Sequence, residues 1–233
     1  MRVITGKAKG HRLKSVPGRG TRPITDRAKL ALFSIIGDDV VGCRFLDLFA
    51  GTGQVGIEAL SRGAREAVFV EQAGPALRII RENLAHTRLE AGARVMRADV
   101  FEFLVPKVEP VAAFDYVYIA PPQYKRLWIK TLQTLDAYPG WLANDAWAIA
   151  QIHPREYEGL ELENLALFDQ RSYGSVMLCF YMTTMRVASW GVASTLKASS
   201  GTTGSVQRKT HWAAELGTFT QPWLCWRTKS LCQ

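Results

Sequence analysis

The chain lacks the features that would place it in a membrane or outside a cell. No apolar run approaches the roughly 18–20 residues needed to cross a bilayer, and the N-terminus, Met1-Arg2-Val3-Ile4-Thr5-Gly6-Lys7, lacks the apolar core of about 7–15 residues of a secretory leader. The four cysteines (Cys43, Cys179, Cys225, Cys232) form no C-x-x-C pair and stand far apart or in the tail. That argues against a disulfide framework and against a metal cluster. A reducing cytoplasm is the expected compartment, no metal site is expected, and the expected state is a monomer.

What is present fits a soluble globular protein: 233 residues, 48% hydrophobic and 21% charged, enough for one α/β domain with short appendages. The net charge of +8 is unevenly spread. Residues 1–44 carry ten Lys/Arg against three Asp/Glu, residues 45–183 thirteen against seventeen, and residues 184–233 six against one. Basic ends on a mildly acidic middle suggest a polyanionic partner, because clustered Lys and Arg supply the sequence-independent part of nucleic-acid affinity. Lys7, Lys9, Arg12, Arg19, Arg22 and Arg27 are the candidate RNA contacts. No aromatic interleaves the charges of the first hairpin and connector, so phosphate contact rather than base stacking is indicated there. The division predicts a basic extension over 1–43, a catalytic domain over 44–183 and a tail over 184–233.

Residues 3–5 and 12–16 read as two short strands joined by the turn Gly6-Lys7-Ala8-Lys9-Gly10. A Gly/Pro-rich connector, 17–23, follows. Thr25 reads as the N-cap of a helix through Leu30, Leu32, Phe33 and Ile36, ended by Gly37, with Arg27 and Lys29 on its polar side. From Arg44 strands and helices alternate. Strands are expected at 44–49, 67–71, 94–96, 114–119 and 146–152, with helices near 53–61, 75–86, 100–105 and 124–136. Residues 160–167 and 175–181 then form an antiparallel hairpin turning through 169–174. The pattern predicts an α/β fold: a mostly parallel seven-stranded sheet with an antiparallel C-terminal hairpin and a small N-terminal extension. The tail is rich in Ser, Thr, Gly and Ala over 189–205 and holds Trp190, Trp212, Trp223 and Trp226. It reads either as a stacking surface for single-stranded RNA or as an extension without function.

The stretch Asp47-Leu48-Phe49-Ala50-Gly51-Thr52-Gly53-Gln54-Val55-Gly56 is a strand end, a tight loop and a helix start, the geometry that brings backbone N–H groups to a nucleotide-like ligand. Its glycines also satisfy G-x-G-x-x-G, so the loop alone does not separate a dinucleotide from another adenosine cofactor. No Lys-Ser or Lys-Thr pair follows Gly56, which excludes a P-loop. Asp47, Glu71 and Asp99 end successive strands and are expected around one cleft at the carboxyl edge of the sheet. Glu71 lies where an acid accepts from ribose hydroxyls. Asp47 discriminates: a carboxylate four residues before the loop repels a pyrophosphate and attracts the α-amino group of S-adenosylmethionine (SAM). The candidate cofactor residues are Asp47, Gly51, Thr52, Gly53, Glu71, Asp99 and Val100. Ala120-Pro121-Pro122-Gln123 follows the fourth strand, and its prolines leave nearby carbonyls rigidly displayed toward an amine.

Taken with Phe69-Val70-Glu71, Arg97-Ala98-Asp99, the N-terminal Arg2–Gly10 pattern, Thr21-Arg22-Pro23-Ile24-Thr25-Asp26-Arg27 and Tyr173-Gly174-Ser175, these motifs resemble the RsmD-type SAM-dependent methyltransferases over about residues 1–182. The resemblance implies a Rossmann-like fold and methylation of guanine N2 in small-subunit ribosomal RNA, free or in the assembled small subunit. It implies Asp47 near the methionine portion, Gly51 and Gly53 under it, Glu71 on the ribose and Asp99 on the adenine amine. It also implies that Thr21-Arg22-Pro23 and Arg27 help seat the RNA. One position departs: the family motif is Asp/Asn-Pro-Pro-Tyr/Phe, whereas this chain has Ala120 and Gln123, with Tyr124 displaced by one. The expected catalytic set is therefore Pro121, Pro122, Gln123 and Tyr124, with the Pro121 carbonyl and the Gln123 amide replacing the missing acceptor and Tyr124 stacking on the base. Open alternatives are a SAM-binding RNA-assembly factor without turnover, a methyltransferase for another amine or amide and, more remotely, an NAD enzyme.

Overall fold

The computed structural model describes residues 1–16, 24–105 and 112–184. A seven-stranded sheet of order β3-β2-β1-β4-β5-β7-β6 runs through it. The strands are β1 (Arg44–Leu48), β2 (Glu66–Glu71), β3 (Ala93–Arg97), β4 (Phe114–Ile119), β5 (Leu142–Ile152), β6 (Leu165–Tyr173) and β7 (Val176–Thr183). The first five pair in parallel, and β7 pairs antiparallel with both β5 and β6. The helices are α1 (Asp26–Ile36), α2 (Gln54–Arg62), α3 (Gly74–Thr87), α4 (Val100–Leu104) and α5 (Leu127–Ala137). Because β1 continues to β2 on one side while β4 lies on its other side, the strand order reverses between β1 and β4, where an open α/β sheet forms its crevice.

The central strands are buried on both faces, as a parallel sheet with helices on each side requires. Alternate residues feed two cores. Phe45, Phe69, Tyr116 and Phe180 pack with α1 and α2 residues such as Phe33 and Ile57. Leu46, Val68, Val117 and Ile119 pack with Trp128 and Leu132 of α5. Gly56 shows how close this packing is: a Cβ there would stand 2.4 Å from the Phe69 ring.

Residues of the N-terminal extension belong to the same core, since Val3, Ala8, Leu13, Ile24 and Leu32 cluster with Phe45 and Phe69. The expected strands at 3–5 and 12–16 do not form. Only one antiparallel bridge, Arg2 with Arg12, is made, supported by Val3 N–H to the His11 carbonyl and Gly10 N–H to the Val3 carbonyl. Other backbone groups of the segment bond to the helices instead, Lys14 N–H reaching Asn83 Oδ1 of α3 at 2.8 Å and residues 7 and 8 reaching α2. Lys7 N–H reaches the Ser61 carbonyl at 2.7 Å, Ala8 N–H reaches Ser61 Oγ at 3.0 Å, and a Cβ on Gly6 would lie 1.8 Å from the Ser61 carbonyl oxygen.

Helix α1 is capped as expected, Thr25 Oγ1 accepting from Ala28 N–H and Gly37 ending it at φ 67°. Lys29, expected on its polar face, is instead fully buried, with its ammonium 3.2 Å from the buried Glu58 carboxylate and donating to the Arg2 carbonyl at 2.6 Å. Burial pulls the Lys29 amine below its ordinary range, with Glu58 opposing the change. Glu58 also accepts from Ile4 N–H, Thr5 N–H and Arg62 Nε. Other boundaries also differ from expectation: β5 begins at Leu142 rather than 146, and β6 at Leu165 rather than 160. Helix α5 begins at Leu127, because Tyr124 and Arg126 adopt left-handed backbone at φ 61° and 53°. The C-terminal hairpin turns at Gly174-Ser175, with Tyr173 paired to Val176. Polar residues 169–172, expected in the turn, are tolerated in β6 because it is the sheet's edge. Of the expected tail only Thr184 lies among the described residues.

Breaking a buried ion pair by removing one partner typically costs about 3–5 kcal/mol. Denaturant unfolding of Glu58→Gln is expected to show a loss of that order. Lys29→Met combined with Glu58→Leu is expected to recover only part of it, since the N–H groups of Ile4 and Thr5 would still lack their acceptor.

Candidate active site

At the reversal between β1 and β4 lies a cleft of about 200 Å³. Its walls include Asp47, Gly51, Thr52 and Gln54 from the first strand–loop–helix unit, Tyr118, Ala120, Pro121, Pro122 and Gln123 from β4 and the segment after it, Gln151 from β5 and Ile24 from the N-terminal extension. Asp47 sits beside Phe69 and Tyr118 in the parallel register and is 2% exposed. Its Oδ2 accepts from Gly56 N–H at 3.0 Å, tying the strand to the first turn of α2. Burial pushes this carboxyl up to about 8, with the Gly56 N–H opposing the shift and the Glu71 charge adding to it. Below about pH 8 the free carboxyl therefore keeps its proton, which an entering cation would displace.

The loop after β1 turns through Phe49, Gly51 and Gly53 at φ 60°, 56° and 73°. Glu71 holds it from the neighbouring strand, Oε2 accepting from Gly51 N–H at 2.9 Å while Oε1 accepts from Ala73 N–H at 2.8 Å. A carboxylate offers about four lone-pair positions, so both oxygens still have capacity for ribose hydroxyls. Asp99 caps α4, Oδ1 accepting from Phe101 N–H and Glu102 N–H, which leaves Oδ2 for an amine. Of the three acids expected around one cleft, only Asp47 walls it; Glu71 and Asp99 end or follow the adjacent β2 and β3. The Val100 side chain is 4% exposed and packed with Leu46 and Val68 in the core, which leaves its backbone to face a ligand. The donor set fits SAM: a buried carboxyl for its ammonium, a glycine loop, and two further acids in line along the strand ends.

Pro121, Pro122 and Gln123 border the cleft as expected. Tyr124 does not. It is 67% exposed, its ring is tilted against His153 at 5.8 Å, and its N–H donates to Glu156. Three polar residues of the cleft were not anticipated. The Tyr118 hydroxyl donates to Gln151 Oε1, and burial, with Asp47 nearby, holds that hydroxyl well above its ordinary pKa. Gln54, at the start of α2, is 6% exposed, and its Oε1 is buried without a hydrogen-bond partner. A polar residue inside the apolar run Ala148-Ile149-Ala150-Gln151-Ile152, and another directly after a glycine loop, were the available signals.

Lys7, Lys9, Arg12 and Arg27 are exposed, whereas Arg19 and Arg22 lie outside the described residues. A second basic surface was missed. Arg78, Arg81 and Arg97 border a groove beside α3, together with Gly74, Leu77 and Glu82, and none of the three has an ion-pair partner among the described residues. The 2.8 Å Lys14–Glu82 pair joins this groove to the N-terminal segment. No helix among the described residues is long and apolar enough to cross a membrane.

A family model described as Conserved hypothetical protein 95 matches residues 1–182. The Bacillus subtilis protein YlbH is 38% identical over 182 residues, covering 78% of this chain and 98% of its own length. Ribosomal RNA small subunit methyltransferase D of Escherichia coli is 36% identical over 147 residues, covering 63% of this chain and 71% of that one. Among solved structures, the Escherichia coli protein yhhF superposes with a TM-score of 0.69 at 30% identity, covering 78% of this chain and 97% of its own.

The raised Asp47 carboxyl gives a signed expectation. Below about pH 8 the free site carries a proton that must leave when a cation enters. Affinity for SAM should therefore tighten from about pH 5.5 to 7.5, by up to about tenfold per unit, with proton release. Asp47→Asn should bind weakly and without that slope. The stability of the free protein runs the other way: this group's contribution is full below the ordinary value of 3.8 and is lost as pH rises through about 8. Titration calorimetry in buffers of different ionisation enthalpy checks the first expectation, and a flat wild-type profile would contradict it.

Proposed function

The chain belongs to the family described as Conserved hypothetical protein 95, the RsmD family, and we propose that it is a SAM-dependent RNA methyltransferase acting on the exocyclic N2 of a guanine in small-subunit ribosomal RNA. The observation that carries this reading is the cleft itself: a buried carboxyl suited to a cationic ligand on one side, and the Pro121-Pro122 backbone on the other. The Escherichia coli relative's name, ribosomal RNA small subunit methyltransferase D, supplies the substrate class.

In this reading Asp47 receives the cofactor's ammonium, Glu71 its ribose hydroxyls and Asp99 Oδ2 its adenine amine. When bound, SAM supplies a methyl group on a sulfonium sulfur, the new N–C bond forming as the C–S electron pair returns to sulfur. The chain's own task is positioning. The rigid segment Ala120-Pro121-Pro122-Gln123 holds the target amine by its carbonyls, so that the nitrogen lone pair faces the methyl group. No general base is needed, because the amine's proton passes to water after transfer. In this reading Tyr124, exposed outside the cleft, meets a base arriving from solvent. The RNA backbone is held by Lys7, Lys9, Arg12 and Arg27 and by the Arg78–Arg81–Arg97 groove, two surfaces joined through Lys14 and Glu82.

Ala120 favours a second reading: a chain that binds SAM and RNA but transfers slowly or not at all. Losing one charged hydrogen bond in such a site costs on the order of 2–4 kcal/mol, roughly 30- to 1000-fold in rate. Incubating the protein with labelled SAM and naked rRNA, assembled small subunits or bulk protein separates the two. Label in a small-subunit guanine is the expected result, and cofactor binding without transfer to any acceptor would favour the second. Replacing Arg78, Arg81 and Arg97 together by Ala should lower the slope of log affinity against log salt by about 2, at about 0.7 per phosphate contact. An unchanged slope would remove that groove from the RNA path.

A further inference from the structure

We propose that the Gln54 carboxamide is the acceptor that holds the target amine in place of the side chain position 120 lacks. The inference rests on the methyltransferase reading above.

An exocyclic amine presents two N–H groups. The Pro121 carbonyl serves one, and at position 120 a methyl group stands where an acceptor would serve the other. The cleft offers few substitutes. Asp47 is bonded to Gly56 and reserved for a cation. Gln151 follows Ala150, which pairs with Ile119, so it stands beside Ala120 in the register, but one lone pair of its oxygen is taken by the Tyr118 hydroxyl, which leaves it the poorer acceptor. Gln123 is only partly buried. Gln54 remains, more than nine-tenths buried, walling the same cleft, with an oxygen that has no hydrogen-bond partner.

An orphaned amide oxygen at a buried helix start is unfavourable for the free protein, and such groups mark sites where a ligand completes the bonding. A substrate N–H supplies what is missing. The position is also rigid: Gln54 begins α2, whose first turn is fastened to β1 through Gly56 and Asp47. An acceptor held there needs little reorganisation during transfer. Being a neutral amide, it is weaker than a carboxylate, so the site works below the rate a charged acceptor at 120 would give.

The test compares wild type, Gln54→Ala, Gln54→Leu, Ala120→Asp and the double variant Ala120→Asp/Gln54→Ala on assembled small subunits. Methyl-transfer rates and KM for SAM are measured separately, alongside thermal unfolding. Gln54→Ala is expected to lower kcat about 30- to 100-fold and leave KM for SAM within about twofold. Ala120→Asp is expected to raise the wild-type rate and to restore most of the rate lost in Gln54→Ala. Gln54→Leu is expected to keep or raise the melting temperature while losing activity, since its buried oxygen has no bond to forfeit. An unchanged kcat in Gln54→Ala overturns the proposal. So does a loss that appears in KM for SAM, or one that Ala120→Asp does not rescue. If wild type transfers no methyl group to any acceptor while still binding SAM, the reading beneath the proposal fails, and the proposal with it.

Discussion

A single buried carboxylate organises the relation between the two halves of this protein's work. Glu58, fully buried on α2, receives the ammonium of Lys29 from α1, the N–H groups of Ile4 and Thr5 from the N-terminal segment, and the guanidinium of Arg62 one turn along its own helix. Taking such charges out of water costs several kcal/mol per ion unless every lone pair and proton finds a partner, and here four donors converge on two oxygens. The same helix begins at the glycine loop, where Gly56 N–H meets Asp47. A basic segment suited to RNA and the loop suited to a cofactor are thus fastened to one rigid element, and Ile24 carries the N-terminal side into the wall of the cleft.

Much of the fold was legible because it rests on local rules. Short apolar runs and strand–helix alternation gave the sheet, Thr25 and Gly37 bounded α1, and acids closing successive strands marked the carboxyl edge. The glycine loop and the Pro-Pro segment pointed to one cleft, and Asp47, Thr52, Pro121 and Gln123 do meet there. What escaped depends on partners distant in sequence. Lys29 has helical spacing that fits a polar face, and only the approach of Glu58, 29 residues later, turns it inward. Residues 3–5 and 12–16 look like strands, but the N–H groups of Ile4 and Thr5 are taken by Glu58 of α2 and the backbone of Lys14 by Asn83 of α3. The groove of Arg78, Arg81 and Arg97 was hidden in a domain whose net charge is acidic, because charge counting averages over faces that the fold separates.

The cleft shows a division of labour that its sequence motif obscures. In the proposed reading its cofactor side combines a buried carboxyl, Asp47, with a loop held by Glu71. Its substrate side is built from neutral groups. Ala120 contributes no polar atom, Gln151 and Tyr118 satisfy each other, and Gln54 keeps an oxygen without a partner. In that reading binding of the cation depends on pH, whereas the hold on the amine depends on placement rather than charge.

If Glu58 makes the N-terminal segment and the glycine loop one cooperative unit, their amides must open together. Native-state hydrogen exchange on the full chain tests this directly. The account predicts a shared opening free energy for Ile4, Thr5, Lys7 and Gly56, and a rise in protection at all four on adding SAM. Residues 4–7 exchanging at a low free energy of their own, unmoved by SAM, would contradict it.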